Sequence, residues 1–373
     1  MTKIYLIRHA EAEGNIFRRA HGHANGFIIG RGFAQIEQLK DRFTDEKIDA
    51  VYSSDLTRAI TTAAAIAEPH GLEINTTEAL REINMGVWED YAWGDMEYFD
   101  PEMGRNFTFD PANWKVEGSE TFEQVVNRME TCIKEIAKKH DGGSVAVFSH
   151  GFAIRAFMCR ILGIESNESG KLPYFDNTAV TLLVFDDGKI SIEYQGDNSH
   201  LKSETSTFAN QTWWRSEKEQ VMENARFMPY DAVRDKNLTG MCESSAEVIT
   251  YTAFLWDEPV GFVGFEADRD CWTDEPNPPD SELSAKAGES EGDSGKSTVW
   301  LRSIFVLPAR RRTGIGVQLL GQVVSHLRKM RWNTLSVEAA EGSALASFCM
   351  KFGFVKTGEN NRLDILVKNI KNW

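Results

Sequence analysis

The sequence is short of cysteine, of proline, of positive charge and of long apolar runs, and each shortage removes a class of protein. Its five cysteines (Cys132, Cys159, Cys242, Cys271, Cys349) are odd in number, widely spaced and contain no CxxC pair. Neither a disulfide framework nor a zinc ribbon is expected from them, and a reducing compartment, the cytoplasm, is. Ten prolines beside 29 glycines, with 42% hydrophobic and 26% charged residues, exclude a collagen-like or wholly disordered chain. No apolar run reaches the length of a membrane span. The opening MTKIYLIRHAEAEGN meets Arg8 and His9 after a brief apolar stretch, so we expect neither a signal peptide nor a membrane anchor there. Lysine and arginine number 41 against 56 acids, a net charge of −15 that repels nucleic-acid phosphates at long range. The deficit is uneven: residues 301–373 carry 12 basic against 4 acidic residues. That basic end suits a small polyphosphate ligand better than a nucleic acid.

A chain of 373 residues fits two domains. From residue 1 to 203 short apolar runs alternate with amphipathic segments: KIYLI, a helix over 34–43, DAVYSS, a helix over 55–68, a helix over 120–139, SVAVFS, a further helix, then TLLVF and KISIEY. The pattern predicts an α/β sandwich with a mixed or parallel sheet. A linker helix is expected over 204–223, with Trp213 and Trp214 docked on a neighbour, and a second domain over 224–373. There ARFMPY, EVITYTAFLW and PVGFVGFEA read as strands, the last two joined by a hairpin turn at Asp257 and Glu258. Residues 274–297, with seven acids, two lysines and no aromatic residue, have the composition of a disordered loop. Structure resumes with STVWLRSIFVLP, a helix over 314–330, TLSVEA, a helix over 344–352 and RLDILV.

Two of the predicted strands run into histidine, KIYLI into Arg8-His9 and SVAVFS into His150-Gly151. The carboxyl ends of strands are where open α/β sheets hold ligands. A third, DAVYSS, leads through Ser54, a candidate helix cap, to Arg58 in the first helical turn. Two guanidinium groups, two imidazoles and a helix N-terminus converging there would suit a phosphoryl group. LIRHAEAEGN, SSDLTRA, LREINMGVWED and VFSHG, in that order, resemble the histidine phosphatase superfamily, with its phosphoglycerate mutase-like fold. The resemblance implies His9 as the nucleophile that becomes phosphohistidine, Arg8, Arg58 and His150 as the phosphate pocket, and Glu82 as the proton donor to the leaving oxygen. Asn15 and Gly151 would contact the substrate. Ala10 and Ala12 depart from the glycine and threonine usual in the family. His21, His23, Glu11 and Glu13 can also be read as metal ligands, but the family reaction needs no metal, and none is expected.

The segment Trp88 to Trp114 holds eight aromatic residues, seven acids and only Arg105 as a base. That composition favours hydrolysis of a phosphomonoester with a neutral or cationic leaving group over a phosphoglycerate mutase-type transfer between polyanions. Alternatively, the aromatics simply pack a lid.

In the second half, LRSIFVLPARRRTGIGVQLLGQVVSHL joins a strand to a helix opening on Gly314-Ile315-Gly316, with Ile315, Leu319, Val323 and Leu327 on one face. Amides at such a start suit a pyrophosphate. The run Arg311-Arg312-Thr313-Gly314-Ile315-Gly316, followed by FCMKFGFVKTG, resembles the GNAT N-acetyltransferase superfamily, a mixed α/β acyl-CoA N-acyltransferase fold. The resemblance implies acetyl-CoA as acyl donor, bound at Ile304, Val306 and Arg311 to Val317, and an amine acceptor. ARFMPYDAVRDKNL looks like the first strand and helix of that fold. The family's asparagine and tyrosine positions are Gly342 and Cys349 here, so Cys349 is a candidate acid for the departing thiolate or else a small buried hydrophobe. Glu266 and Glu338 are candidate bases. Three activities stay open: phosphatase plus acetyltransferase, a single-activity phosphatase whose second half is a non-catalytic acetyl-CoA-binding or interaction module, and a mutase.

Overall fold

The computed structural model describes residues 1–211, 223–238, 241, 248–266 and 299–371. The two docked tryptophans, the acidic loop, Cys242 and Cys271 lie outside the described residues. The chain divides into two compact units, Met1–Tyr91 with Met96–Met222, and Glu223–Trp373 with Ala92–Asp95.

The first unit is built on a six-stranded sheet: β1 (Thr2–Arg8), β2 (Ala50–Ser54), β3 (Ile74–Thr77), β4 (Ser144–Ser149), β5 (Val180–Asp186) and β6 (Lys189–Asp197), in the order β3-β2-β4-β1-β5-β6. β1 is central, parallel to β4 and antiparallel to β5. Only Lys3 of its seven residues is exposed, the near-continuous apolar run of a strand covered on both faces. β6, at the sheet edge, alternates exposed and half-buried residues instead. The helices are α1 (Glu13–Phe17), α2 (Arg31–Arg42), α3 (Thr57–His70), α4 (Trp93–Phe99), α5 (Pro101–Phe109), α6 (Phe122–Lys139), α7 (Gly151–Leu162) and α8 (Thr207–Asn210). α6 starts where a capping box says it should, with Thr121 Oγ1 accepting from the Gln124 amide and Gln124 Oε1 accepting from the Thr121 amide. Ser54 does not cap α3. The capping position is Leu56, and Asn25 Oδ1 accepts from the Thr57 amide instead. Of the expected linker helix, residues 204–206 are not helical, α8 starts at Thr207 because Ser206 caps it and Asp176 draws the Thr207 amide, and residues 212–222 lie outside the described residues.

The second unit holds a seven-stranded sheet: β7 (Arg226–Pro229), β8 (Val248–Leu255), β9 (Glu258–Glu266), β10 (Val299–Val306), β11 (Thr334–Ala340), β12 (Val355–Asn360) and β13 (Leu363–Asn369), in the order β12-β13-β11-β10-β9-β8-β7. Helices α9 (Ile315–Lys329) and α10 (Ala344–Lys351) connect β10, β11 and β12. Ile315, Leu319, Val323 and Leu327 are all buried, the stripe by which α9 packs on the sheet. The β8–β9 hairpin turns at Trp256 and Asp257, one residue earlier than expected, with Trp256 at φ 56°. The helix expected after β7 is replaced by turns and a short 3-10 segment, Lys236–Leu238. Asp231 Oδ1 takes the amides of Val233 and Arg234, and the buried Asp235 takes the Asp231 amide and the Thr252 hydroxyl. Aspartates that capture nearby backbone donors compete with a helix. β10 and β11 pair only at Val299↔Leu335 and Trp300↔Ser336, so the two parallel strands separate beyond Trp300.

Candidate functional site

Parallel pairing explains how two histidines 141 positions apart in sequence meet. Arg8 is in register with Ser149, and the His9 amide donates to the Ser149 carbonyl at 3.0 Å. The imidazoles of His9 and His150 therefore leave adjacent strand ends with ring centroids 5.1 Å apart. His150 is also the capping residue of α7, fully buried, and neither ring nitrogen has a protein partner. His9 is 5% exposed, and its Nδ1 lies 2.7 Å from the Ala10 carbonyl. A carbonyl only accepts, so Nδ1 carries the proton and Nε2 keeps its lone pair. Burial first, then the charges of Arg58 and Arg8, hold His9 well below the usual histidine range; burial and Arg58 do the same to His150.

Arg8 is buried, with its Nε unpartnered and its Nη1 donating to the Phe175 carbonyl. A Cβ at Gly151 would lie 3.2 Å from that Nε. Glycine here lets the guanidinium lie against the start of α7. Arg58, also buried, spends its Nη groups on the carbonyls of His21, Gly22 and Ala24, so it shapes the 21–24 loop as well as charging the site. Burial pushes it down to about 10. The Glu82 carboxylate accepts from the amides of Ile83, Phe152 and Ala153, which places it at the N-terminus of α7 beside His150. Asn15 Oδ1 accepts from the Ala12 amide and closes the turn after the first motif. Arg8, His9, Arg58, Glu82, His150 and Gly151 are thus gathered around the ends of β1 and β4.

The four residues readable as metal ligands diverge. His21 faces Asp90 at 3.3 Å, His23 Nε2 meets the Glu82 carbonyl, Glu11 pairs with Arg31, and Glu13 accepts from the Phe27 amide. The side chains of the aromatic segment differ in packing. Trp88 and Phe107 pack edge-on against the buried Trp114, and Phe107 stacks on Phe152, one residue beyond Gly151. Tyr98, Phe99 and Phe109 are exposed.

Sequence reasoning missed Arg128 and the run Asp176-Asn177-Thr178. Arg128 donates to the carbonyls of Ala79, Arg81 and Glu82 and pairs with Glu120, fixing the segment that bears Glu82. Asn177 Nδ2 donates to the His9 carbonyl at 2.8 Å. Polar residues in DNTAV just ahead of an apolar strand were the signal available for the second group.

In the second unit Gly314 caps α9 at φ 91°, a left-handed conformation that glycine adopts without strain. At Gly316 the nearest atoms to an added Cβ would belong to Phe348 and Val306, at ordinary contact distance. Ile304 and Val306 lie on the part of β10 that has left β11, and Ile315 and Val317 are buried in the first turn of α9. Arg311 Nε donates to the Val306 carbonyl, Arg312 is exposed at φ 68°, and Thr313 Oγ1 donates to the Arg310 carbonyl. The candidate acid is enclosed. Cys349 is fully buried beside Phe348 and Phe352, and burial pushes its thiol up to about 12. Glu266 pairs with Arg302, and Glu338 accepts from Asn360.

Residues 4–198 match the family model of the histidine phosphatase superfamily (branch 1), and residues 208–354 that of the acetyltransferase (GNAT) family. The phosphoserine phosphatase 1 of Hydrogenobacter thermophilus is 33% identical over 165 residues, 44% of this chain and 78% of that protein. The metal-independent phosphoserine phosphatase of Arabidopsis thaliana is 32% identical over 209 residues, 54% of this chain and 84% of that protein. Among solved structures, Bacillus stearothermophilus YhfR superposes with a TM-score of 0.53 at 27% identity, covering 54% of this chain and 100% of that one. The chain belongs to the histidine phosphatase superfamily, branch 1, and carries a GNAT-family domain in its second half.

Proposed function

We propose that the first unit hydrolyses phosphomonoesters through a phosphohistidine on His9, without a metal, and that its substrate is an alkyl phosphate of the O-phosphoserine kind. The observation that carries the reading is the buried pair His9 and His150 bracketed by Arg8 and Arg58. In the first step His9 Nε2 attacks phosphorus, the ester P–O bond breaks, and Glu82 gives the leaving oxygen its proton. In the second, water attacks phosphorus, its proton returns to Glu82, and the N–P bond breaks to release phosphate. Arg8, Arg58 and His150 meet the charge spread over the phosphoryl oxygens. The substrate class is supported by the names of the two relatives and by the acid-rich aromatic segment, which repels polyanions and accepts a zwitterionic leaving group. Release of phosphate from O-phosphoserine in the presence of a chelator tests this; interconversion of phosphoglycerates at a comparable rate would contradict it.

A pH dependence follows. With its folded value far below about 6.5, His9 stays neutral and nucleophilic through mildly acidic pH. The acid limb of kcat/KM for phosphate release is therefore expected below pH ~6.5, once the substrate's own ionisation near ~6 is allowed for. An acid limb above pH 6.5 would contradict the assignment. Stability is lost on the acid side as well. Unfolded histidines take up protons below about 6.5 while buried His9 and His150 do not, so the unfolding free energy falls as pH drops through that window.

We propose further that the second unit binds acetyl-CoA, with pyrophosphate at the amides of Gly314 to Val317 and the acyl arm in the gap between β10 and β11, and transfers acetyl to an amine. The separation of those strands and the left-handed Gly314 support it. A second reading has its own support: with Cys349 buried and Glu266 and Glu338 already paired, the unit serves as a non-catalytic acetyl-CoA-binding module. The cytoplasm is the compartment we propose; no described helix is long and apolar enough to cross a membrane.

A further inference from the structure

The stretch between the last strand of the first sheet and residue 212 is buried where it meets residues that flank the nucleophile in the chain or hold its backbone. Thr205, Ser206, Thr207 and Gln211 are each under 9% exposed. Their partners are three fully or almost fully buried polar side chains, Glu11, Gln35 and Asp176. On one flank of His9, the Glu11 carboxylate is held by Arg31 at 2.8 Å and by Gln211 Nε2 at 2.8 Å. Gln35 ties the same place together, its Oε1 accepting the Glu11 amide and its Nε2 donating to the Thr205 carbonyl and Thr207 Oγ1.

On the other flank, Asp176 accepts four donors: the amides of Asn177 and Thr207, the Ser206 hydroxyl at 2.6 Å and Asn198 Nδ2. The loop it anchors grips the strand end. Asn177 Nδ2 donates to the His9 carbonyl, the Thr178 amide donates to the Arg8 carbonyl, and Arg8 Nη1 donates to the Phe175 carbonyl. Thr178 sits at φ 60°, a left-handed conformation that β-branched residues rarely adopt. Such a residue persists only where its surroundings over-determine it; here the hydrogen bond between Thr178 Oγ1 and His200 contributes.

We infer that residues 203–211 are a strap belonging to the phosphatase centre, with two positioning residues: Asp176, which anchors the loop that holds the Arg8 and His9 carbonyls, and Gln211, which holds the Glu11 carboxylate. The inference rests on the phosphatase reading above. A buried carboxylate is tolerated only while its donors are present. Taking a donor from the strap forces Glu11 or Asp176 to seek another, and the loops on both sides of His9 shift. In-line attack needs the nucleophile placed to a fraction of an ångström, and a shift of about 1 Å can cost ~100-fold. The strap acts through Glu11, Gln35 and Asp176, so its loss is expected to move the chemical step and to leave binding nearly unchanged.

The test uses the full chain with an aryl phosphate, comparing wild type with Asp176→Asn, Ser206→Ala and Gln211→Ala. Steady-state kcat and KM, the rate of phosphoenzyme formation and the unfolding temperature are measured for each. We expect kcat and the phosphorylation rate to fall about 10-fold or more, with KM within about twofold. Ser206→Ala removes one of four donors from Asp176, and it decides the matter if Asp176→Asn does not fold. Lowered unfolding temperature with unchanged kcat per folded molecule would make the strap merely structural and overturn the inference. Wild-type chain that releases no phosphate would instead sink the phosphatase reading, and the strap's role with it.

Discussion

Replacement of His9 by alanine should lower kcat for phosphate release on the order of 10⁴- to 10⁶-fold, the range seen when a covalent nucleophile is removed. Three observations support so large an effect. The hydrogen bond to the Ala10 carbonyl leaves Nε2 with the lone pair, burial beside two guanidinium groups keeps the ring neutral, and His150 has no strand-end partner other than His9 at 5.1 Å among the ring pairs of the described residues. His150 does not replace His9, because it sits deeper, with no exposed surface. The folded structure should survive. The backbone of residue 9 is held by Ser149 and Asn177, neither of which uses the imidazole. Activity within tenfold of wild type would show that the nucleophile lies elsewhere.

Acetyl-CoA should bind the full chain in calorimetric titration, and Gly316→Leu should weaken that binding about 100-fold, or about 2.7 kcal/mol. The position discriminates well because the nearest side-chain atoms to an added Cβ at Gly316 belong to Phe348 and Val306, at 3.6 and 3.8 Å, so Gly316→Ala is expected to fold and bind normally. A branched side chain there projects over the first amides of α9, where the pyrophosphate would lie. Gly314 is a poorer choice, since at φ 91° any other residue is strained whatever the ligand does. Wild-type chain without measurable affinity, or Gly316→Leu binding as wild type does, would remove acetyl-CoA from the account. Binding without release of free CoA across a panel of amines would favour the non-catalytic module.

Much of this was legible in the sequence because the chemistry is carried by short contiguous motifs. A histidine directly after a run of apolar residues reads as a strand end, and two such ends become neighbours once β1 and β4 pair in parallel. The buried face of α9 was legible for a similar reason, its period of Ile315, Leu319, Val323 and Leu327. What could not be read was which side chains distant backbone groups would meet. Asn177 acts on a carbonyl, Asp176 on amides that come from 31 residues downstream, and Glu82 meets the amides of Phe152 and Ala153; none of these partners leaves a mark in residue type. The helix expected after β7 failed on the same ground, since Asp231 and Asp235 read as ordinary acids until the turn they stabilise is seen. Cys349 was readable as acid or as filler, and burial to 0% settles its environment.

The central claim is covalent chemistry at His9, and the measurement that meets it most directly is trapping of the intermediate. The full chain is mixed with phosphate-labelled O-phosphoserine or an aryl phosphate, quenched in alkali within milliseconds, and digested for mass analysis. The account predicts label on the peptide containing Arg8 and His9, stable to alkali, lost in acid, and absent from His9→Ala. Turnover of substrate with no labelled peptide, or label that persists in the His9→Ala chain, would contradict it.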